Sequence, residues 1–287
     1  KYYDLTDERS AHINKLKGDL HTVFPQYLDV FCDVTGKTST MILRQYGTPD
    51  KILRGHKKTM IEKISKASRK GLAKASERYE KLCAAANAAK TFGCQIDSIY
   101  FNIFLTLDLV EKLDSALDSI LNRIRQLITF NKNEKFIQQI KLLNTIPGVG
   151  FLTAVTIMCE IGDFSAFRNP KQLFAYFGLD PEVNESGKFV GTQLHMSKRG
   201  SRIARRAIFA VALASIRTKR NGEGINPYLR KYYELKSGQK PKMVAIGAVM
   251  HKVCNIVFAV LRDEKAFELR SPEEHCKQYQ RPALAAA

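Results

Sequence analysis

The chain has 287 residues, 45% of them hydrophobic, which suffices for one large or two modest domains with cores of their own. Lys and Arg number 46 against 28 acids, a formal net charge of +18 that points to a polyanionic partner. Six scattered cysteines with no C-x-x-C spacing suggest neither a disulfide framework nor a zinc site and point to a reducing, cytosolic compartment.

The predicted elements are mainly α-helical. Leu5, Ile13, Leu16 and Leu20 form a loose helical stripe that ends near Phe24-Pro25. A second helix around Ser39–Tyr46 stops at Gly47-Thr-Pro49, and helices over 57–68 and 70–91 follow. Residues 1–95 thus read as a helical linker region. From Ile99 through Ile103, Val110, Leu113, Leu117, Ile120 and Ile124 to Leu127 the apolar spacing alternates between three and four, broken only at Thr106. That is a heptad seam, and residues 96–130 read as a coiled-coil helix. The seam pairs either with another chain or with a second helix of its own. Asn131-Lys-Asn-Glu-Lys135 is a polar break. Beyond it, residues 136–270 hold short helices over 136–143, 152–161 and 170–177 and two strong ones over 199–217 and 242–262. Lys188-Phe-Val190, between Gly187 and Gly191, suits a short β-hairpin. Residues 271–287 read as a flexible tail. Asp and Lys punctuate every candidate helix, so no uninterrupted apolar run long enough to span a bilayer is read. No basic–apolar–small leader follows Lys1. Cys159 and Cys254 sit in apolar helical contexts and read as small core residues.

Charge is concentrated. Residues 186–242 carry 14 Lys or Arg and two acids, a net of +12, whereas the other 230 residues carry 32 against 26. No interfacial helix faced with Trp, Phe and Leu accompanies that charge, so nucleic acid fits better than a membrane surface. Arg199, Arg202, Arg205 and Arg206 share one side of the 199–217 helix, extended by Lys198 and opposite Ile203, Ala207, Phe209 and Val211. A solvated helix face normally mixes in carboxylates, and none occurs between Glu185 and Glu223, which favours phosphate contact. Ile146-Pro-Gly-Val-Gly150, running into Thr153-Ala154, is a helix–hairpin–helix signature. Gly148 and Gly150 allow a backbone phosphate to come close to free helix N–H donors, or they are simply turn glycines between packed helices. Ser186 places a hydroxyl in a non-helical segment at the edge of the basic region, near Lys188. The six histidines show no metal-ligand spacing. Asp163, Asp180, Glu182 and Glu185 are a loose set rather than a two-metal cluster, so no metal ligand is assigned in this chain.

Together these segments resemble the DEDD-type insertion-sequence transposases, the serine recombinases guided by a bridge RNA. The resemblance rests on Ile146-Pro-Gly-Val-Gly150, Phe174-Ala-Tyr-Phe-Gly-Leu-Asp-Pro181, Glu185-Ser-Gly187, Met196-Ser-Lys-Arg-Gly200 and the closing helix, in order over roughly residues 136–265. Residues 1–130 resemble that family's linker and coiled-coil region. The resemblance implies a serine nucleophile, Ser186 by motif, that attacks a DNA phosphodiester to form a covalent protein–DNA intermediate. It implies target choice by a structured RNA, a dimer or tetramer assembled through the coiled coil, and a cytoplasmic, nucleoid-associated protein. It also implies Mg²⁺ held by four acids of an RNase-H-like domain, which is expected before Lys1. Asp4 and Asp7 have the spacing of that domain's closing Asp-x-x-Asp but lie at the start of the linker helix. The chain is therefore expected to be a truncated transposase, inactive alone. The rival readings are a non-catalytic DNA- or RNA-binding module, a transposase relic among them, and a structural protein that dimerises through the 99–127 seam.

Overall fold

The structure is a computed structural model that describes residues 1–92, 94, 96–182, 185–186, 189–190, 195–271 and 273–274, by backbone alone at 92, 185, 186, 189 and 190. It is mainly α-helical and divides into two compact units, Lys1–Gln126 and Leu127–Ala287.

The first unit runs through α1 (Tyr2–Val23), α2 (Tyr27–Val30), α3 (Lys37–Gln45), α4 (Pro49–Arg54), α5 (Lys57–Ser68), α6 (Leu72–Phe92) and most of α7 (Asp97–Thr129). Its core gathers Leu16, Leu20, Phe24, Tyr27, Ile42, Ile52, Met60, Ile64, Leu82 and Ile103. Tyr27 is buried with its hydroxyl 2.9 Å from Ser39 Oγ, and burial pushes its phenol pKa up. The helix α4 begins at the proline of a segment that the sequence pattern assigns to a stop. Thr48 Oγ1 accepts from the Lys51 amide and Pro49 takes the first helical position, so Gly47-Thr-Pro49 ends one helix and starts another.

Part of the α7 seam is buried: Ile103, Val110 and Leu117 are, as is Leu107 beside it, and Ile103 and Leu107 join the core. Thr106, which interrupts the heptad series, is buried as well. Arg44 reaches Asp108 at 2.6 Å and Glu111 at 2.9 Å, and Arg9 pairs with Asp114, which ties α3 and α1 to this helix. The seam opens toward its end, where Leu127 is 55% exposed.

The second unit contains α8 (Glu134–Leu143), α9 (Phe151–Ile161), a 3₁₀ turn (Phe164–Ala166), α10 (Pro170–Tyr176) and strands β1 (Glu185–Ser186) and β2 (Phe189–Val190). It closes with α11 (Arg202–Ile216), α12 (Pro227–Ser237) and α13 (Lys242–Asp263). Asn133, Asn169 and Asn226 each cap a following helix through the side-chain oxygen, and Pro170 and Pro227 occupy first-turn positions. The apolar pattern does not reveal α12, although Asn226-Pro227 is its start signal.

α13 is the spine of this unit and packs against α8, α10, α11 and α12. It corrects one expectation. The helix is long and apolar enough to cross a bilayer by length and composition. Yet Ile246, Val249, Val253, Val257, Phe258 and Leu261 are buried inside the unit, which explains the apolar run as core. Cys254 is buried with them, and burial raises its thiol pKa. Cys159, by contrast, is exposed on α9 rather than part of the core.

Candidate nucleic-acid interface

The interface is built around α11. Ser201 caps it, its hydroxyl accepting from the Ile203 and Ala204 amides at 3.1 Å each. The helix therefore begins at Arg202, not at Arg199 as its apolar period suggests. Lys198 and Arg199 lie in the preceding loop, both exposed, with Lys198 at φ +54°. Arg202 is exposed and Arg206 half-buried. Arg202 and Arg205, and no acid, occupy the first turn, at the end where the helix dipole is positive, and Arg206 follows directly.

Arg205 faces inward to the loop. Its Nη1 donates to the carbonyls of Gly200 at 2.7 Å, Lys198 at 3.1 Å and Phe177 at 3.2 Å. These bonds complete a backbone lock between the two motif segments 176–182 and 195–200. The Lys198 amide donates to the Gly178 carbonyl at 3.0 Å and the Ser197 amide to the Asp180 carbonyl at 2.8 Å. The Glu182 amide donates to the His195 carbonyl at 2.7 Å, and Ser197 Oγ bonds Asp180 Oδ1 at 2.6 Å. Glycine is required twice in this lock. A Cβ on Gly200 would overlap the Tyr176 carbonyl oxygen and lie 2.6 Å from the Phe177 carbonyl carbon. A Cβ on Gly178, at φ +65°, would overlap the Gly200 amide. Sequence reasoning gives Gly178, Asp180, Ser197 and Gly200 no role, although a glycine in each motif segment is the signal that two backbones meet.

The chain leaves this lock at the Pro181–Met196 bridge and forms the hairpin in which Glu185 pairs with Val190 and Ser186 with Phe189. The expected hairpin is present, and Ser186 stands on its first strand. Lys188 lies outside the described residues.

The Pro-Gly-Val-Gly turn joins α8 to α9, and its two glycines do different work. Gly148, at φ +98°, sits against α11: an added Cβ would lie 2.7 Å from Ser215 Oγ and 3.2 Å from the Val211 carbonyl. Ser215 Oγ also donates to the Pro147 carbonyl at 2.8 Å. Gly148 is thus a packing glycine. Gly150 is exposed, has nothing within 4 Å of an added Cβ, and begins α9 without a side-chain cap. Its helix start is the one that suits a phosphate.

The turn and the arginine cluster are not brought together. The turn contacts α11 at Val211 and Ser215, whereas Arg202 and Arg206 lie toward the other end, roughly 8–20 Å away along the axis at ~1.5 Å per residue. Arg217, Lys219 and Arg220 are all exposed just past the end of α11, which the turn contacts at Ser215. Arg230 fastens this end by donating to the Ile216 carbonyl at 2.8 Å. The candidate surface therefore has two cationic ends joined by one helix, a span that covers roughly five phosphates of one strand at ~3.4 Å each. Among the described residues no three His, Cys, Asp or Glu side chains gather as a metal-holding group. Asp163 is a cap whose carboxylate accepts from the Ser165 amide and hydroxyl, bonds that hold its pKa below the usual range.

Comparison with known proteins converges on this region. Residues 140–234, which hold the turn, the lock, the hairpin, α11 and most of α12, match the model of the transposase IS116/IS110/IS902 family. The chain is 24% identical to the uncharacterized protein of insertion element IS110 from Streptomyces coelicolor, over 94% of this chain and 63% of that protein. It is 30% identical to the pilin gene-inverting protein of Moraxella bovis, over 61% of this chain and 52% of that protein. It is 26% identical to the transposase for insertion sequence element IS1111A of Coxiella burnetii, over 63% of this chain and 50% of that protein. The chain thus spans between one half and two thirds of the length of these relatives. The matched relatives are thus proteins of insertion elements and a gene-inverting protein.

Proposed function

We propose that this chain is the strand-exchanging part of a DNA transposase or recombinase, with Ser186 as its nucleophile. The Ser186 hydroxyl attacks a backbone phosphorus. An Oγ–P bond forms, one P–O ester bond breaks, and the serine proton and the released DNA oxygen balance as a free hydroxyl end. A hydroxyl end of another strand then attacks the phosphoserine and restores Ser186. Exposed Lys198 and Arg199, with Arg202 and Arg206, hold phosphates beside this exchange, and the open α9 start at Gly150 holds the backbone farther along. A structured RNA would select the target by base pairing, leaving the protein to read backbone and shape. Two or more copies would bring the exchanging ends together. The described residues do not fit a Mg²⁺ site, since they lack an acidic cluster, and no step here runs through the metal.

The observation that carries this reading is the shared root. The Gly178–Gly200 lock that supports the Ser186 hairpin also leads directly into the cationic start of α11. The test is a protease-sensitive covalent protein–DNA adduct, sought with element-end DNA, RNA and Mg²⁺ and with any coding sequence that precedes Lys1 included. An adduct formed by the parent and lost in Ser186→Ala is expected. No adduct from either, with salt-sensitive binding retained, would sink the nucleophile and leave a binding module.

A further inference from the structure

The first unit carries a separate concentration of positive charge. Residues 51–81 hold eleven Lys or Arg against three acids, a net of +8. The other 95 residues of that unit hold ten against twelve, a net of −2. The whole cationic excess of the unit therefore lies on α4, α5, α6 and the turn between the last two. All eleven cations are exposed except Arg78, which is half-buried. The apolar sides of α5 and α6, among them Met60, Ile64, Ala75 and Leu82, are spent in the core. The cations are thus forced outward, and no apolar helix face remains to enter a bilayer.

The surface is shaped as well as charged. Lys74, Arg78 and Lys81 follow one side of α6, and Lys70 precedes them in the turn. All four line one concavity of about 160 Å³ beside Asp29 and Glu77. Glu77 pairs with Lys81 at 2.7 Å, the one ion pair within residues 51–81 among the described residues. Arg78 lies over the Phe31 ring, and Lys57 lies over Tyr79, which screens that ring from solvent. Arg69 and Gly71 turn the chain through left-handed φ values of 55° and 81°, so α5 and α6 present their cations around one tight bend. From Lys70 to Lys81 the stripe runs roughly 16 Å at ~1.5 Å per residue. One strand of a duplex presents about five phosphates over that length, at ~3.4 Å each.

We propose that α5 and α6 form a second nucleic-acid-binding surface, for the phosphodiester backbone of a duplex, distinct from the α11 surface. Both tyrosines along the surface, Tyr46 and Tyr79, already have a lysine over their rings, so unpaired bases gain no bare ring to stack on and a duplex is the better occupant. The proposal does not rest on the serine reading, and a Ser186→Ala chain tests it equally well.

The experiment uses the full chain carrying Ser186→Ala, with Lys58→Gln, Lys66→Gln, Lys70→Gln and Lys74→Gln added together. The control carries Lys15→Gln, Lys17→Gln, Lys37→Gln and Lys112→Gln, which removes the same charge from exposed lysines of the same unit. Affinity for a DNA duplex and an RNA duplex of about 20 base pairs is measured by anisotropy across a salt series. The α5–α6 variant should bind at least tenfold more weakly than the control. Its slope of log K against log salt should be shallower by about two to four, at ~0.9 for each phosphate no longer neutralised. The duplex whose binding weakens identifies the backbone held. Equal affinity and slope for variant and control on both duplexes would overturn the proposal. If the fourfold variant lowers the thermal midpoint, Lys70→Gln with Lys74→Gln is read in its place.

Discussion

Gly178 and Gly200 show how one missing Cβ positions chemistry several residues away. Backbone meets backbone where they touch, so no side-chain rotation relieves an added methyl. Gly200→Ala should therefore cost on the order of 3 kcal/mol or more, among the larger single-residue effects. Gly150→Ala is the opposite case: φ is −96° and the surroundings are open, so the fold should change by less than ~1 kcal/mol. If a phosphate approaches that backbone, Gly150→Ala weakens DNA binding while leaving the thermal midpoint in place. The arginines divide in the same way. Arg205→Ala removes three bonds from a charged donor to loop carbonyls, and a loss of ~1.5–3 kcal/mol is expected in thermal or urea unfolding. Arg199→Ala should leave stability unchanged and make the salt slope of binding shallower by about one. If Arg205→Ala unfolds normally and only binding falls, its role is phosphate contact after all. His251 adds a pH effect. It stacks edge-on against Phe174, and burial first, then Lys252, holds its pKa below the ordinary 6.5. The native state then binds fewer protons than the unfolded chain in the window from about 6.5 downward, so stability falls with pH there and is fully present above it. His251→Phe should flatten that part of the thermal-midpoint profile.

At the scale of elements, α7 separates what periodicity tells from what it does not. Spacings of three and four identify the apolar face of Ile103, Val110 and Leu117, but the same face serves a partner chain or the protein's own core. Arg9 of α1 and Arg44 of α3 reach this helix through ion pairs, and nothing in the seam itself encodes those partners. Leu107→Ala should destabilise the first unit by ~2–5 kcal/mol, the range for a buried leucine that leaves a cavity. Leu127→Ser, at the exposed end, should leave that transition in place; a drop in molar mass by light scattering would show that this end is where copies meet. Short elements are less legible. α4 and α12 are too brief for a 3.6-residue period, yet Thr48-Pro49 and Asn226-Pro227 carry the cap and first-turn proline that start them. Periodicity misplaces the start of α11 in a similar way. Arg199 continues the cationic spacing of the helix, but the Ser201 hydroxyl that closes the end fixes the first turn at Arg202. Of the interface, the glycine turn and the arginine run are legible because they are contiguous in sequence. The lock is not, because Gly178 and Gly200 acquire meaning only when two segments 22 residues apart touch.

At the scale of the whole chain, charge is the property that binding should relieve. A net +18 repels itself, and its two richest stretches, residues 51–81 and 186–242, carry +8 and +12 while everything else is slightly acidic. Folding holds these like charges close together within each unit, a cost that falls as counterions or phosphates neutralise them. Duplex nucleic acid should therefore act as a stabiliser as well as a ligand. At a hundredfold excess over Kd it should add about 2.7 kcal/mol to unfolding, provided the unfolded chain binds weakly. The unfolded chain is equally cationic, so the gain distinguishes a shaped surface from charge alone. A flexible polyphosphate of equal charge should stabilise less than a duplex if the surfaces are fitted to a regular backbone. Half-molar salt should remove both effects, since exposed charges are then screened within several ångströms. Calorimetric scans with duplex, polyphosphate and salt decide the matter. Equal shifts from the two polyanions would mean that the protein reads only charge density, and that these helices carry no fit to a regular duplex backbone.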